Sequence, residues 1–388
     1  MAYDFDRVTD RRGTDAEKWN VKPTELPMWV ADMDFMTAPE ILAAMQKRLD
    51  HGIFGYNAIP DSWYEAYSGW WKKRHGLEMD KNALLFCTGV IPAISSIVRK
   101  LTTAGENVLI QTPVYNIFFN SIVNNGRHVL ECPLIYEDHA YRMDFDALEK
   151  GLADPQTTLM ILCNPHNPVG KCWDKETLAK VGILCEKHHV AVVSDEIHCD
   201  ITLPSVGYTP FASVSEVCGR ISITCIAPTK TFNLAGLQTS AIYVPDKVLK
   251  HKVWRAINTD EVAEPNSFAV PAAVAAFTKG EKWLEELRVY LAENRRLFSE
   301  RVANALPEIA VIDAQATYLV WIDVSAVCGD GRKLAAFIRQ KTGLYVIGGE
   351  VYGKAGAGFL RVNIACPRSL LNDGIDRLIA GIKAFKEQ

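Results

Sequence analysis

Lys230 stands in Ala-Pro-Thr-Lys-Thr-Phe-Asn-Leu-Ala-Gly-Leu (227–237), framed by small residues, hydroxyls and a nearby glycine. Such a frame suits an amine held for covalent chemistry better than a solvated surface charge. Upstream lie Asn-Pro-His-Asn-Pro-Val-Gly (164–170) and Val-Ser-Asp-Glu-Ile-His (193–198). Together the three runs offer an amine for an aldehyde, a carboxylate for a ring nitrogen and an amide for a phenolic oxygen. Those are the groups that pyridoxal phosphate requires.

Each residue has its own reason. Asp195 ends the apolar run Val-Ala-Val-Val-Ser (190–194), so it belongs at the carboxyl edge of a sheet strand, where open α/β sheets bind ligands. Alone, an Asp there is more simply a cap for the next turn; beside Lys230, pairing with a pyridine nitrogen is the better reading. Asn167 lies among Pro165, Pro168 and Gly170, after the apolar run 158–163. Such a loop holds an amide rigidly, although in isolation it is also an ordinary turn. Thr88-Gly89-Val90 follows Ala-Leu-Leu-Phe-Cys and precedes a helix with Pro92 in its first turn. Strand, glycine and helix N-terminus make a phosphate cradle, and a plain strand-to-helix turn looks the same. Thr229 can add a hydroxyl to that phosphate. Tyr115, after a strand, can stack on a planar ring or fill a core. Arg361 sits in the apolar pattern Gly-Phe-Leu-Arg-Val-Asn-Ile-Ala. A guanidinium there needs an anion, either a substrate α-carboxylate or an internal carboxylate. His198 stands three residues after Asp195, near the expected ring. Trp29, Asp32 and Tyr56 can shape a substrate pocket or serve packing.

Several elements must position these groups. Thr37 to Gly52 reads as a helix, with Thr37 and Glu40 as a capping box, Gly52 as its end, and Ile41, Leu42, Met45 and Leu49 as its buried stripe. A second helix follows Asp61 and carries Trp63, Tyr67, Trp70 and Trp71. Strands are expected at 83–87, 107–111, 128–132, 158–163, 190–195, 222–226 and 239–244, most of them continuously apolar, as strands covered on both faces are. Asp174 to His189 is an intervening helix. The pattern predicts a doubly wound α/β domain with a mainly parallel seven-stranded sheet. A long helix from about Glu281 to Leu306 opens a smaller α/β unit, with strands near 316–323 and 359–364 and helices at 331–342 and 369–386. The expected division is an N-terminal segment 1–36 packed on the small domain, a large cofactor-binding domain 37–283, and a small domain 284–388.

Composition narrows the classes. The net charge of −4, with no long single-sign run, argues against non-specific nucleic-acid binding. The ten cysteines include no Cys-x-x-Cys, and several lie in apolar strand runs, so reduced core thiols are expected. The nine histidines show no spacing such as His-Glu-x-x-His, so no metal is expected. Met-Ala-Tyr-Asp-Phe-Asp is acidic and lacks an apolar signal core, and no apolar run reaches membrane-spanning length. A cytoplasmic location is expected.

At these residues the chain resembles the fold-type I pyridoxal-phosphate enzymes of the aminotransferase class I/II superfamily, over nearly its whole length. Leu-Pro-Met-Trp-Val-Ala-Asp-Met-Asp-Phe (26–35), Gly-Tyr-Asn (55–57), Cys-Asn-Pro-His-Asn-Pro-Val-Gly (163–170) and Ser-Asp-Glu-Ile-His (194–198) look closer still to the bacterial C–S β-lyases, the cystathionine β-lyases related to the maltose-regulon modulator. The resemblance implies Lys230 as the Schiff-base lysine, Asp195 on the pyridinium and Asn167 on the phenolate oxygen. It implies Tyr115 stacked on the ring, Gly89 and Val90 at the phosphate, and Arg361 on the substrate carboxylate. It also implies a homodimer in which Tyr56 reaches the partner's phosphate. Three positions depart from the aspartate-aminotransferase pattern: His198 replaces a tyrosine, Gln238 a phosphate-binding arginine, and Ala227 a serine. The implied activity is α,β-elimination of L-cystathionine or related cysteine S-conjugates to a thiol, pyruvate and ammonia. The alternatives are an aminotransferase, or a protein-binding regulatory role on the same scaffold.

Overall fold

A computed structural model describes residues 3–388; Met1 and Ala2 of the expected N-terminal segment lie outside the described residues. Seven strands form the central sheet: β1 (Leu84–Cys87), β2 (Asn107–Ile110), β3 (His128–Glu131), β4 (Thr157–Cys163), β5 (Ala191–Asp195), β6 (Ser222–Ile226) and β7 (Ser240–Tyr243). Their order is β1-β7-β6-β5-β4-β2-β3. Only β7 runs against its neighbours. The seven expected strands are all present, each within one or two residues of its expected bounds. Strands β4, β5 and β6 are almost wholly buried, which is why they read as unbroken apolar runs.

A second sheet is antiparallel: β8 (Ala310–Val311), β9 (Leu319–Asp323), β10 (Ile347–Gly348) and β11 (Phe359–Asn363), in the order β8-β9-β11-β10. The short strands β8 and β10 carry too few residues to show a period and were not expected. The helices that matter for the site are α1 (Pro39–His51), α2 (Asp61–His75), α3 (Val90–Leu101), α4 (Lys175–Lys187), α5 (Pro228–Thr231), α6 (Glu281–Ala305), α7 (Gly331–Thr342) and α8 (Arg368–Lys386). Asp174 caps α4 by accepting from the Thr177 N–H. Trp63, Tyr67, Trp70 and Trp71 of α2 are all buried, as expected.

Helix α1 departs from expectation at its start and along its face. Pro39 takes the first helical position and Ala38 the cap, so the helix begins too late for Thr37 to close a capping box. The Thr37 hydroxyl has no partner, and Glu40 accepts instead from the Tyr3 hydroxyl. Gly52 ends the helix at φ 72°, a left-handed conformation that glycine adopts without strain. Of the apolar stripe only Ile41 is buried; Leu42 and Leu49 are 36% and 52% exposed. They face outward together with Ile53 and Phe54.

The segment before α1 is a strap between the two sheets. Leu26–Pro27 pairs in parallel with Leu344–Tyr345. Along the next residues the carbonyls are taken one after another. Met28 accepts from the Asn363 N–H and Trp29 from Arg361 Nη2. Val30 and Asp32 both accept from Asn363 Nδ2, at 2.5 and 2.6 Å. Asn233 Nδ2 donates to Met33 and Phe35, and the Met33 N–H donates back to Asn233 Oδ1. Met28, Met33 and Phe35 pack into the same apolar cluster as Trp63, Trp70 and Trp283.

One buried ionic cluster pins the strap. Asp34 accepts from Lys18 Nζ at 2.6 Å, Trp19 Nε1 at 2.7 Å and Arg11 Nη1 at 2.8 Å. Burial works against its charge, but Lys18, Trp19 and Arg11 together hold Asp34 below the usual carboxylate range. Removing one member of such a pair strands the other in a medium that cannot solvate it. Asp34→Asn is therefore expected to cost about 3 kcal/mol of stability. Urea unfolding should show a lower midpoint at unchanged slope; a midpoint equal to wild type would refute the strap's dependence on this charge.

Candidate active site

Strands β1, β4, β5 and β6 run the same way, so their carboxyl ends share one edge of the sheet. Thr88 and Gly89 follow β1 and lead into α3. The loop 164–170 follows β4, with cis peptide bonds before Pro165 and Pro168. Strand β5 ends on Asp195, and α5, which carries Lys230, follows β6. A cavity of about 260 Å³ lies at this edge, lined among others by Gly89, Val90, Tyr115, Asn167, Asp195, His198, Thr229 and Lys230. Eight of the expected site residues thus meet in one place.

Lys230 Nζ donates to the Ala31 carbonyl of the strap at 2.6 Å. The Tyr318 hydroxyl of the segment entering β9 donates to the same oxygen at 3.0 Å. Burial pulls the amine down to about 8; Arg361 pushes the same way, while Asp32 and Asp195 oppose. An amine so placed is partly neutral near physiological pH and able to act as a nucleophile or base.

Asp195 is buried, and its carboxylate accepts from the Ile197 N–H at 3.1 Å. Burial pushes its carboxyl up to about 7, against the pull of the Ile197 N–H and Lys230. A cationic N–H in the cavity would hold it ionised. His198 is buried beside it, with its Nδ1 unpartnered. Burial, helped by Lys230 and Arg361, drives the imidazole down to about 3, so the ring is neutral. Asn167 Oδ1 accepts from Arg361 Nη1 at 3.4 Å, which leaves the Asn167 amide N–H groups to serve as donors.

Arg361, on β11, is buried without a carboxylate partner among the described residues. Its Nη2 donates to the Trp29 carbonyl at 2.9 Å, its guanidinium lies 4.9 Å from the Tyr352 ring, and its Nε has no partner. Of the two anions expected from the sequence, the internal one is missing. Gly89 and Val90 stand at the cap and first position of α3, whose first-turn N–H groups have no acceptor within the helix. Pro92 costs nothing there, because its absent N–H would also have been unused. Tyr115 is half-buried, edge-on to Phe118 at 5.7 Å, and burial raises its hydroxyl pKa. Gln238, in a left-handed conformation at φ 51°, and the unpartnered hydroxyl of Thr239 complete the wall beside Thr229.

Four expected residues are not in the cavity wall: Arg361, which lies behind it, and Trp29, Asp32 and Tyr56. The Trp29 ring stacks on Tyr345 at 4.8 Å and its indole N–H donates to the Lys18 carbonyl. The Asp32 carboxylate pairs with Arg11 at 2.6 Å and Lys18 at 3.7 Å. Tyr56 lies between α1 and α2, fully exposed to solvent. The Ala31 carbonyl, Tyr318 and Asn363 were not expected at the site. Tyr318 and Asn363 fall at strand positions that the apolar pattern had already claimed, and a carbonyl carries no signal in a sequence.

The unsatisfied groups define what fits. A ligand must bring a group that reacts with an amine, a cationic or donor ring nitrogen for Asp195, an acceptor for Asn167, and an anion for the start of α3. Pyridoxal phosphate has all four, so the residues present fit it.

A family model for class I and II aminotransferases matches residues 26–378. The cystathionine beta-lyase PatB of Bacillus subtilis (strain 168) is 42% identical over 97% of this chain and 99% of its own length. The crystal structure of cystalysin from Treponema denticola, which contains pyridoxal 5'-phosphate, aligns with a TM-score of 0.96 and 31% identity, over 99% of this chain and 100% of that one. A pyridoxal-phosphate-bound putative aminotransferase from Clostridium difficile 630 aligns with a TM-score of 0.95 and 38% identity, over 98% of this chain and 100% of that one.

The raised Asp195 value carries a sign. Its folded pKa lies above the unfolded 3.8, so the wild-type chain loses stability as pH rises from about 4 to about 7. Cofactor-free Asp195→Asn escapes that loss. It should melt above wild type at pH 8 by a margin worth a few kcal/mol, roughly, and the margin should close toward pH 4. A margin independent of pH in parallel thermal melts would show that Asp195 is not buried as a charge.

Proposed function

The chain belongs to the aminotransferase class I and II family, and on that footing we propose that it is a pyridoxal-phosphate-dependent carbon–sulfur β-lyase acting on L-cystathionine or related cysteine S-conjugates. The single observation that carries this reading is the convergence of Lys230, Asp195 and Asn167 on one cavity, with Arg361 behind it lacking an anion. The relationship to PatB over almost the full length of both chains supports the choice of lyase.

When bound, pyridoxal phosphate supplies an electron sink for a carbanion at the amino acid's Cα. The protein does the rest. Lys230 would hold the aldehyde, and its amine, once free, would take the Cα proton. Asp195 would keep the pyridine nitrogen protonated. Asn167 would donate to the phenolic oxygen, with His198 in the same cavity, and Tyr115 would serve the ring. Gly89, Val90 and Thr229 would hold the phosphate at the start of α3. Arg361 takes the substrate α-carboxylate in place of the missing internal one. The Cβ–S bond then breaks and the thiolate leaves with the electron pair; a thiol pKa of ~8.5 makes it a far better leaving group than an alkoxide. The carbon skeleton takes up water and departs as pyruvate and ammonia.

The functional unit in this reading is a homodimer. The exposed apolar residues Leu42, Leu49, Ile53 and Phe54 would be covered by a second copy, and Tyr56 would reach the partner's phosphate. In the same reading residues 37–283 are the large domain and 284–388 the small one, with the N-terminal segment 1–36, of which residues 3–36 are described, belonging with the small domain; the Leu26–Pro27 pairing with Leu344–Tyr345 supports that division. We place the protein in the cytoplasm. Its ten cysteines are all unpaired, and among the described residues no helix is long and apolar enough to cross a membrane.

Cystathionine given to the purified, cofactor-loaded protein without any keto acid should yield pyruvate, and Lys230→Ala should abolish it. Turnover only after a keto acid is added would make the protein an aminotransferase instead. Arg361→Leu should lower kcat/KM by roughly 100-fold, the worth of a charge-assisted pair of hydrogen bonds.

A further inference from the structure

Asp200 is the most heavily hydrogen-bonded buried carboxylate outside the cavity wall, and the reaction above does not use it. Trp70 Nε1 donates to both of its oxygens at 3.1 Å. Arg74 Nε donates at 3.2 Å, His75 Nε2 lies at 3.0 Å, and the Thr231 hydroxyl donates at 3.2 Å. Three of these partners come from α2. The fourth, Thr231, is the residue next to Lys230 and is fully buried. Arg74 goes on to pair with Glu285 of α6 at 2.7 Å.

Helix α5 has only four residues, far too few to hold itself, so its shape is imposed from outside. On one side Asn233 ties the following turn to the strap. On the other, the Thr231 hydroxyl bonds to Asp200. A threonine hydroxyl in a helix ordinarily turns back to a carbonyl of its own helix; here it reaches across to another element.

His75, Cys199 and Asp200 together bring three metal-ligand types within 4.8 Å of one another. The donors from Trp70, Arg74, His75 and Thr231 already fill the Asp200 oxygens, and Arg74 places a positive charge where an ion would need none. Burial pushes the Cys199 thiol well up, away from the thiolate that a metal prefers. The cluster is a support, not an ion site.

We propose that Asp200 is a positioning residue for Lys230, acting through the Thr231 hydroxyl to fix α5 against α2. The proposal rests on the reading of Lys230 given above. Its consequence is local. The amine's proton affinity depends on its distances to Asp32, Asp195 and Arg361, and its reach depends on the turn that carries it. A displacement of about 1 Å can cost on the order of 100-fold in rate.

Asp200→Asn risks misfolding, so the decisive variants are at Thr231. Thr231→Val keeps the shape and removes only the hydroxyl, leaving Asp200 bonded to Trp70, Arg74 and His75. In the cofactor-loaded protein it should lower kcat about tenfold with KM within about twofold. It should also move the pH midpoint of the bound cofactor's visible absorption by about half a unit. Thr231→Ser, which keeps the hydroxyl, should recover most of both effects. If Thr231→Val lowers only the melting temperature, with kcat and the midpoint unmoved, Asp200 is a packing anchor and the proposal is overturned. If the wild-type protein releases no pyruvate from cystathionine, the lyase reading fails; the absorption midpoints still decide the positioning role by themselves.

Discussion

Backbone groups buried away from water must find partners, and the strap from Met28 to Phe35 is where that constraint organises this protein. The strap forms no sheet beyond Leu26–Pro27, so after Met28, whose carbonyl takes the Asn363 N–H, the carbonyls of Trp29 to Met33 and of Phe35 are satisfied by side chains. Two of those side chains, Lys230 and Arg361, are the ones on which the proposed reaction rests. Lys230 and Tyr318 share the Ala31 oxygen, Arg361 holds Trp29, Asn363 spans Val30 and Asp32, and Asn233 spans Met33 and Phe35. One stretch of chain thereby sets the distance between the amine after β6 and the guanidinium on β11. The ionic cluster of Arg11, Lys18, Asp32 and Asp34 fixes the strap in turn. The motif 26–35 is thus explained by positioning, even where its own side chains face elsewhere.

The parallel sheet supplies the other half of the geometry. Strands running together deliver their following loops to one edge, so four short connections suffice to bring an amine, a carboxylate, an amide and a helix N-terminus to one cavity. Because the strand ends are buried, the charges placed there are poorly solvated. The amine of Lys230 and the carboxyl of Asp195 both shift toward their neutral forms, to about 8 and about 7. Such shifts mark a site that a ligand must complete.

Much of this was legible in the sequence, for physical reasons that differ by element. Strands covered on both faces leave continuous apolar runs, so β4, β5 and β6 could be read directly, and with them the places of Asp195, Asn167 and Lys230. Helix α2 announced itself by four aromatic residues at helical spacing. The strap could not be read, because side-chain-to-carbonyl bonding leaves no period in the chain. The start of α1 was misread because Pro39 is a stronger initiating signal than the Thr37–Glu40 pair. Its apolar stripe was misread for another reason: Leu42 and Leu49 have the right spacing, but spacing does not say whether an apolar face meets its own chain. Trp29 and Asp32 could be read either as pocket or as packing residues, because spacing does not say which way a side chain turns; the Trp29 ring stacks on Tyr345 and the Asp32 carboxylate pairs with Arg11.

Asp195 and Asp200 show how burial alone fails to assign a role. They lie five residues apart and are both buried at the end of the same strand and turn. Asp195 keeps a single backbone N–H partner, and burial raises it to about 7. Asp200 suffers the same burial, yet His75, Arg74 and Trp70 hold it below the usual carboxylate range. A carboxylate whose donors are all present has nothing left to offer a ligand and can only hold its neighbours. A carboxylate short of donors is costly to the bare fold and would be relieved by a cationic ring. The fold keeps one of each on either side of Lys230, so the lysine is fixed from behind by a satisfied charge and faces an unsatisfied one.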